Sequence, residues 1–155
     1  LKKSGLSVPE VIYKDKDSLF LEYIEGSTVN DLVENLDTGH WVEELSRWLY
    51  ELHRISRGSY GLLKGDVNLR NFVYSNNRIY GLDFEKLSTG DSRIDLGNMC
   101  FFILTNYPSF TREKHIMIRR FLNEYEKCLG RKLEEMGRFL LLSRAEAKRR
   151  RYHSG

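Results

Sequence analysis

Lys64-Gly65-Asp66-Val67-Asn68-Leu69-Arg70-Asn71, followed by Gly81-Leu82-Asp83-Phe84-Glu85, is the stretch around which this chain is organised. An acid, then a carboxamide, then a second acid supply the oxygens needed to hold a divalent cation and to orient a hydroxyl near phosphate. A Gly-Asp pair near Asn is also an ordinary turn signal, so the flanking segments decide the reading. Upstream, Leu45, Trp48, Leu49, Leu52 and Ile55 recur at helical spacing. Downstream, Asn71-Phe72-Val73-Tyr74 and Arg78-Ile79-Tyr80-Gly81-Leu82 read as short strands joined at Ser75-Asn76-Asn77. The polar cluster therefore sits between a helix and a hairpin, with the second acid at the end of that hairpin.

This order of helix, loop, hairpin and acid resembles the protein-kinase-like superfamily, whose usual loop is H-x-D-x-x-x-x-N followed by D-F-G. Asp66, Asn71 and Asp83 fall on the three motif positions. The resemblance implies that Asp66 serves the acceptor hydroxyl, while Asn71 and Asp83 hold Mg²⁺ with ATP or GTP as phosphate donor. Within the superfamily, the Gly-Asp pair, D-F-E in place of D-F-G, and Thr89-Gly90-Asp91-Ser92-Arg93-Ile94-Asp95-Leu96 look most like the aminoglycoside and choline phosphotransferase branch. That likeness runs from about Val8 to Leu104 and implies a small-molecule acceptor rather than a protein.

Departures from the pattern define further candidates. Lys64 stands where the family has His, and it either lies outward or approaches phosphate. Arg70 either places positive charge near the transferred group or pairs with a carboxylate on the outer side of the loop. Glu85 replaces Gly and could assist a metal or a basic substrate. Asp95 either caps the helix it opens or, as the resemblance implies, bonds back to the catalytic-loop backbone. His53 is read as a packing or hydrogen-bonding residue.

Val8–Tyr13 and Ser18–Ile24 are β-rich runs flanking Lys14-Asp15-Lys16-Asp17, the pattern of a hairpin. The resemblance makes this the hinge between lobes, with the carbonyl of Glu22 and the amide of Ile24 as adenine contacts and Leu21 as gatekeeper. A lone two-stranded hairpin is marginal in water. The Gly-rich loop, phosphate-gripping Lys and partner Glu of the family do not precede Val8, and Leu1 is not an initiator Met. These points lead to the expectation of a fragment or processed chain lacking most of the small lobe, divided into residues 1–26 (small-lobe remnant and hinge) and 27–155 (helical large lobe). The expected fold class is α+β: a mostly helical kinase-like large lobe with a catalytic-loop β-hairpin and a remnant two-stranded small-lobe hairpin.

At 155 residues, 41% hydrophobic and 30% charged, the composition is that of one globular domain. The longest apolar run, Met99 to Leu104, is far short of the roughly 20 residues that span a bilayer. No membrane span is expected, and a cytoplasmic location follows from the lack of a secretory pattern. Cys100 and Cys128 have neither zinc-site spacing nor a disulfide framework, and they read as buried reduced thiols.

Further helices are expected after the Ser27-Thr28 cap, from Trp41 to Ile55, from Ile94 to Thr105, from Thr111 to Leu129 with Gly130 as its stop, and through Arg131–Arg151. Arg57-Gly58-Ser59-Tyr60-Gly61 reads as a flexible approach to the loop, and Ser88–Asp91 as a polar turn. Net charge is only +3, but Arg144, Lys148, Arg149, Arg150 and Arg151 gather at the end. A solvated helix terminus is favoured there over a nucleic-acid contact. Together with the helical close, that tail also resembles the small kinase of the tRNA-modifying KEOPS complex, from which D-F-E departs. The alternatives to a small-molecule phosphotransferase are thus a pseudokinase-like binding module and an RNA-associated or protein Ser/Thr kinase-like subunit. Glu34, Asp37, Glu43 and Glu44 form an acidic face that could attract a cationic acceptor.

Overall fold

The computed structural model describes residues 1, 4–55 and 60–153, with the side chains of 146–148 and 150–153 outside that description. Its long helices follow from apolar periodicity and cap chemistry. Helix α2 (Trp41–His53) buries Trp41, Val42, Leu45, Trp48, Leu49 and Leu52 along one face. Helix α4 (Arg112–Leu129) starts at Thr111, whose side chain accepts the Lys114 N–H, and stops at Gly130 in the left-handed conformation, φ 73°. Short α1 (Val29–Glu34) is capped the same way by Thr28, with Asp31 in its first turn. Each fully buried large apolar side chain contributes about 1.5–3 kcal/mol, so the face shared by α2 and α4 is a large source of cohesion.

Polar ties fix how these helices meet. Ser46 Oγ donates to the Phe121 carbonyl at 2.7 Å, Arg47 reaches Glu124 at 2.7 Å, and Arg120 reaches Glu43 at 2.7 Å. Helix α3 (Arg93–Thr105) is apolar nearly all round and packs against both α4 and α5 (Met136–His153). Phe139 of α5 lies under the Arg93 guanidinium, 4.6 Å from ring centroid to Cζ.

Among the described residues, three small antiparallel sheets complete the α+β fold expected from the sequence. Strands β1 (Val11–Lys14) and β2 (Leu19–Leu21) pair with each other; β3 (Ser27–Thr28), β5 (Phe72–Ser75) and β6 (Arg78–Gly81) form a three-stranded sheet in the order β3-β5-β6; β4 (Gly61–Leu63) pairs with β7 (Ser88–Gly90). Asn76 and Asn77 adopt φ of 49° and 59°, the geometry of a two-residue hairpin turn. The β1–β2 hairpin leaves Val11, Ile12, Tyr13, Leu19, Phe20 and Leu21 exposed.

Some expectations change. Ser88–Gly90 is a strand rather than a turn, because Gly61–Leu63 pairs with it from a distant part of the chain. Asp95 lies inside the first turn of α3 rather than opening it, since the helix begins at Arg93. Cys128 is only partly buried, whereas Cys100 is buried. The reading of 57–59 as a flexible approach lies outside the described residues, as do the side chains of Lys148, Arg150 and Arg151. Among the described residues no helix is long and apolar enough to cross a membrane.

Gly81 ends β6 under the Trp48 indole, where an added Cβ would lie 2.2 Å from the ring carbon Cζ2. Trp48 cannot retreat freely, because its Nε1–H donates to the Ser7 carbonyl at 2.8 Å and its ring meets Phe72 edge-on. Gly81→Ala is therefore expected to destabilise the fold by about 1–3 kcal/mol through overpacking. A fall in the urea midpoint without a change in slope checks this.

Candidate functional site

Strand β4 delivers the chain to Lys64-Gly65-Asp66, and a buried carboxylate on α3 fixes its path. Asp95 is fully buried; its Oδ2 accepts the Lys64 N–H at 2.6 Å and its Oδ1 accepts the Gly65 N–H at 3.2 Å. His53, the last residue of α2, places Nε2 3.1 Å from Asp95 Oδ2 and Nδ1 2.8 Å from the Tyr125 hydroxyl. Burial pushes the Tyr125 phenol up to about 12, so it stays protonated at neutral pH. Side chains from α2, α3 and α4 thus converge on one turn of backbone. Gly65 itself needs to be glycine twice over: φ is 75°, and a Cβ would meet the Lys86 carbonyl oxygen at 2.2 Å.

Lys64 does not lie outward. Its side chain is buried, and its ammonium donates to the carbonyl oxygens of Asp66, at 3.1 Å, and of Asp83. The ammonium also lies 5.0 Å from the Phe84 ring centroid and 6.0 Å from that of Phe72. Burial lowers its pKa, against the opposing pull of Asp83, Asp66 and Asp95. Two converging carbonyls and two aromatic faces explain the inward course: Lys64 ties the Asp66 loop to the Asp83 loop.

Asp66 accepts the Asn68 N–H on Oδ1 at 3.2 Å and the Lys86 ammonium on Oδ2 at 3.0 Å. Partial burial opposes its ionisation, but the Lys86 bond, the Asn68 N–H and the Lys86 and Lys64 charges outweigh it and hold the carboxyl below its ordinary value. Asn71 Nδ2 donates to the Asp66 carbonyl at 3.4 Å, and the Leu82 N–H donates to the Asn71 carbonyl at 2.8 Å. Asp83 follows directly, exposed and with φ of 51°, a left-handed conformation that non-glycine residues rarely hold without surrounding constraint. Its Oδ1 accepts the Glu85 N–H at 3.3 Å. Asp66, Asn71 and Asp83 are thus linked through shared backbone bonds.

Arg70 is exposed, and its guanidinium pairs with no carboxylate among the described residues. Glu22 and Ile24 line a cleft of about 490 Å³ with Tyr74 and Tyr80, whereas Leu21 is exposed and does not line it. The acidic face is largely engaged: Glu43 pairs with Arg120, Glu44 with Arg47, Glu34 accepts from Asn30, and Asp37 accepts the Gly39 N–H. A separate cavity of about 520 Å³ is lined by His53, Asp91, Arg93 and Tyr125 but by none of Asp66, Asn71 or Asp83. Lys86 was not singled out from the sequence; the signal available was a cation directly after Asp83-Phe84-Glu85.

Asp83 and Asn71 suit Mg²⁺, which keeps waters and takes one or two protein oxygens together with substrate phosphates. No group of three or more His, Cys, Asp or Glu among the described residues forms a self-sufficient metal cage.

The fold is protein-kinase-like. A choline/ethanolamine kinase family protein from Mesorhizobium loti superposes with a TM-score of 0.63 at 16% identity over 89% of this chain and 61% of that one. Plasmodium vivax ethanolamine kinase gives 0.60 at 11% identity, over 89% and 57%. The aminoglycoside phosphotransferase APH(2'')-Ib in its ADP-bound form gives 0.52 at 16% identity, over 90% and 74%. The chain thus spans about three-fifths of the first two. By sequence it is similar to a protein described as a probable serine/threonine-protein kinase BUD32 homolog from Archaeoglobus fulgidus, 26% identical over 148 residues, covering 90% of this chain and 71% of that protein. No family model matches the chain.

Proposed function

We propose that this chain carries the acceptor and metal side of an ATP- or GTP-dependent phosphotransferase that moves the γ-phosphoryl group to a hydroxyl. The observation that carries this reading is the joining of Asp66, Asn71 and Asp83 by the Asn71–Asp66 and Leu82–Asn71 bonds, with Lys64 bridging the two loops. In the transfer, a bond forms between the acceptor oxygen and the γ-phosphorus, the bond from that phosphorus to the β–γ bridging oxygen breaks, and the hydroxyl proton leaves through Asp66 to solvent. Asp66 is suited to hold the hydroxyl in line rather than to act as a strong base, because its lowered pKa makes the carboxylate a weak proton acceptor. Asn71 Oδ1 and the Asp83 carboxylate would hold Mg²⁺, which supplies charge neutralisation on the phosphates. Residues 1–26 would serve the nucleotide side, with Glu22 and Ile24 at the cleft, and residues 27–155 the acceptor side.

A small-molecule acceptor is supported by D-F-E and by the likeness to choline/ethanolamine and aminoglycoside kinases. The likeness to a BUD32 homolog favours a second reading, a protein Ser/Thr acceptor. Incubation of the full chain with γ-labelled ATP and a panel of hydroxyl compounds and Ser/Thr peptides tests both. Label transfer that chelation abolishes and excess Mg²⁺ restores is expected, and Asn71→Ala should raise the Mg²⁺ needed for half-activity about tenfold, the loss of one oxygen ligand. Absence of transfer across the panel would favour a binding module without catalysis.

A further inference from the structure

Beside the catalytic loop lies a shallow pocket of about 260 Å³ that includes Asn30, Asn68, Arg70, Phe102, Thr105 and Asn106. Its wall contains no carboxylate, and Arg70 is its only charged residue. The carbonyl oxygens of the three amides are already engaged: Asn30 Oδ1 accepts from Asn106 Nδ2 at 3.3 Å, Asn68 Oδ1 from the Arg70 N–H at 3.0 Å, and Asn106 Oδ1 from the Tyr107 N–H at 3.0 Å. Thr105 Oγ1 donates to the Phe101 carbonyl at 2.8 Å. The donors left available are Asn68 Nδ2 and the five N–H groups of the Arg70 guanidinium, beside a second lone pair on each amide oxygen. Behind Asn106, the buried Lys114 ammonium bonds the Asn106 carbonyl, with the Glu34 carboxylate of α1 acting on it as the nearby opposite charge. A planar guanidinium fork without a carboxylate partner is matched in shape and charge to a phosphate or carboxylate.

Resting on the phosphotransferase reading, we infer that this pocket holds an anionic group of the acceptor: the substrate is a hydroxyl compound that already carries a phosphate or carboxylate close to the hydroxyl presented to Asp66. Arg70 and Asn68 sit on the same loop as Asp66, which does not itself line the pocket, so the acceptor would extend from its hydroxyl at the acid to its anionic group at the fork. A cationic acceptor has no carboxylate to meet in this wall. Of the acidic side chains on the neighbouring helices, Glu43 and Glu44 pair with Arg120 and Arg47, and Glu34 accepts from the Asn30 amide.

Glycerol 3-phosphate, glycerate, glycerol and 3-amino-1,2-propanediol share a three-carbon hydroxylated skeleton and differ in charge. Their binding to the full chain is measured by calorimetry in the presence of a saturating non-hydrolysable Mg–ATP analogue, which occupies the γ-phosphate position. One or both anionic compounds are expected to bind at least about tenfold more tightly than the neutral and cationic ones, the scale of one charge-assisted hydrogen bond; which of the two binds tells phosphate from carboxylate. Arg70→Gln removes that advantage, Arg70→Lys keeps part of it, and Arg70→Glu turns the preference towards the amine. Equal binding across the set, preference of the unaltered chain for the amine, or an anion preference untouched by Arg70→Gln overturns the inference.

Turnover supplies an independent arm. A raised KM for anionic acceptors with unchanged kcat is expected of Arg70→Gln, whereas an equal fall in kcat for all acceptors places Arg70 at the transferred group and also overturns the inference. If no compound is phosphorylated but anion binding still depends on Arg70, the phosphotransferase reading falls and the pocket assignment stands.

Discussion

Asp66→Asn is expected to lower phosphotransfer by about 10²- to 10⁴-fold, with little change in nucleotide affinity and no loss of folded protein. The substitution keeps the shape of the side chain and an oxygen for the Asn68 N–H, but it removes the charge proposed to hold the acceptor hydroxyl. Lys86 makes a second, separable effect on the same carboxyl. Burial of Asp66 raises its pKa, the Lys86 ammonium 3.0 Å away lowers it, and the net result is a group ionised to lower pH than usual. Lys86→Met removes the lowering contribution, so the acid limb of kcat/KM should move to higher pH, while Lys86→Arg should restore it. Because Lys86 is mostly exposed, its loss should leave the melting temperature almost unchanged. Rates from stopped assays across pH, read beside thermal melts, separate the two residues. An Asp66→Asn enzyme with full kcat would remove Asp66 from the reaction.

The parts of this molecule readable from sequence are those whose causes are local. The periodic face of α2, the Thr28 and Thr111 caps, the Gly130 stop and the Asn76-Asn77 turn each follow from neighbours a few residues away. Spacing also suffices to bring Asp66, Asn71 and Asp83 to neighbouring positions, because one loop and one hairpin carry all three. What escaped depends on distant partners. Gly61–Leu63 and Ser88–Gly90 are too short and too weakly alternating to announce strands, and each becomes one only against the other. Lys64 reads as lying outward or approaching phosphate until Phe72, Phe84 and the carbonyls of Asp66 and Asp83 close over it. Lys114 and Glu124 sit buried on α4 for the same reason: the Asn106 carbonyl and Arg47, from other elements, receive them.

The same distinction locates the most sensitive structural residue away from the chemistry, at Asp95. Asp95→Ala is expected to destabilise the protein by about 3–5 kcal/mol, because it leaves the Lys64 and Gly65 N–H groups and a His53 ring nitrogen without their acceptor in a site closed to water; each such unmet group costs about 1–3 kcal/mol. In a domain of this size that corresponds to a fall of roughly 10 °C in melting temperature. Asp95→Asn should cost less, since one oxygen persists, yet its amide N–H groups would face a backbone N–H that can only donate. Tyr125→Phe gives the comparison that isolates the network from the cavity: it removes only the hydroxyl bonded to His53, and about 1 kcal/mol is expected. If Asp95 merely stabilised α3 through its first turn, Asp95→Asn and Asp95→Ala would each cost under about 1 kcal/mol and leave turnover intact. Loss of turnover at temperatures where both variants remain folded would instead place the effect in the loop. Lys64 and Gly65 are the residues Asp95 holds, and their path sets where Asp66 points.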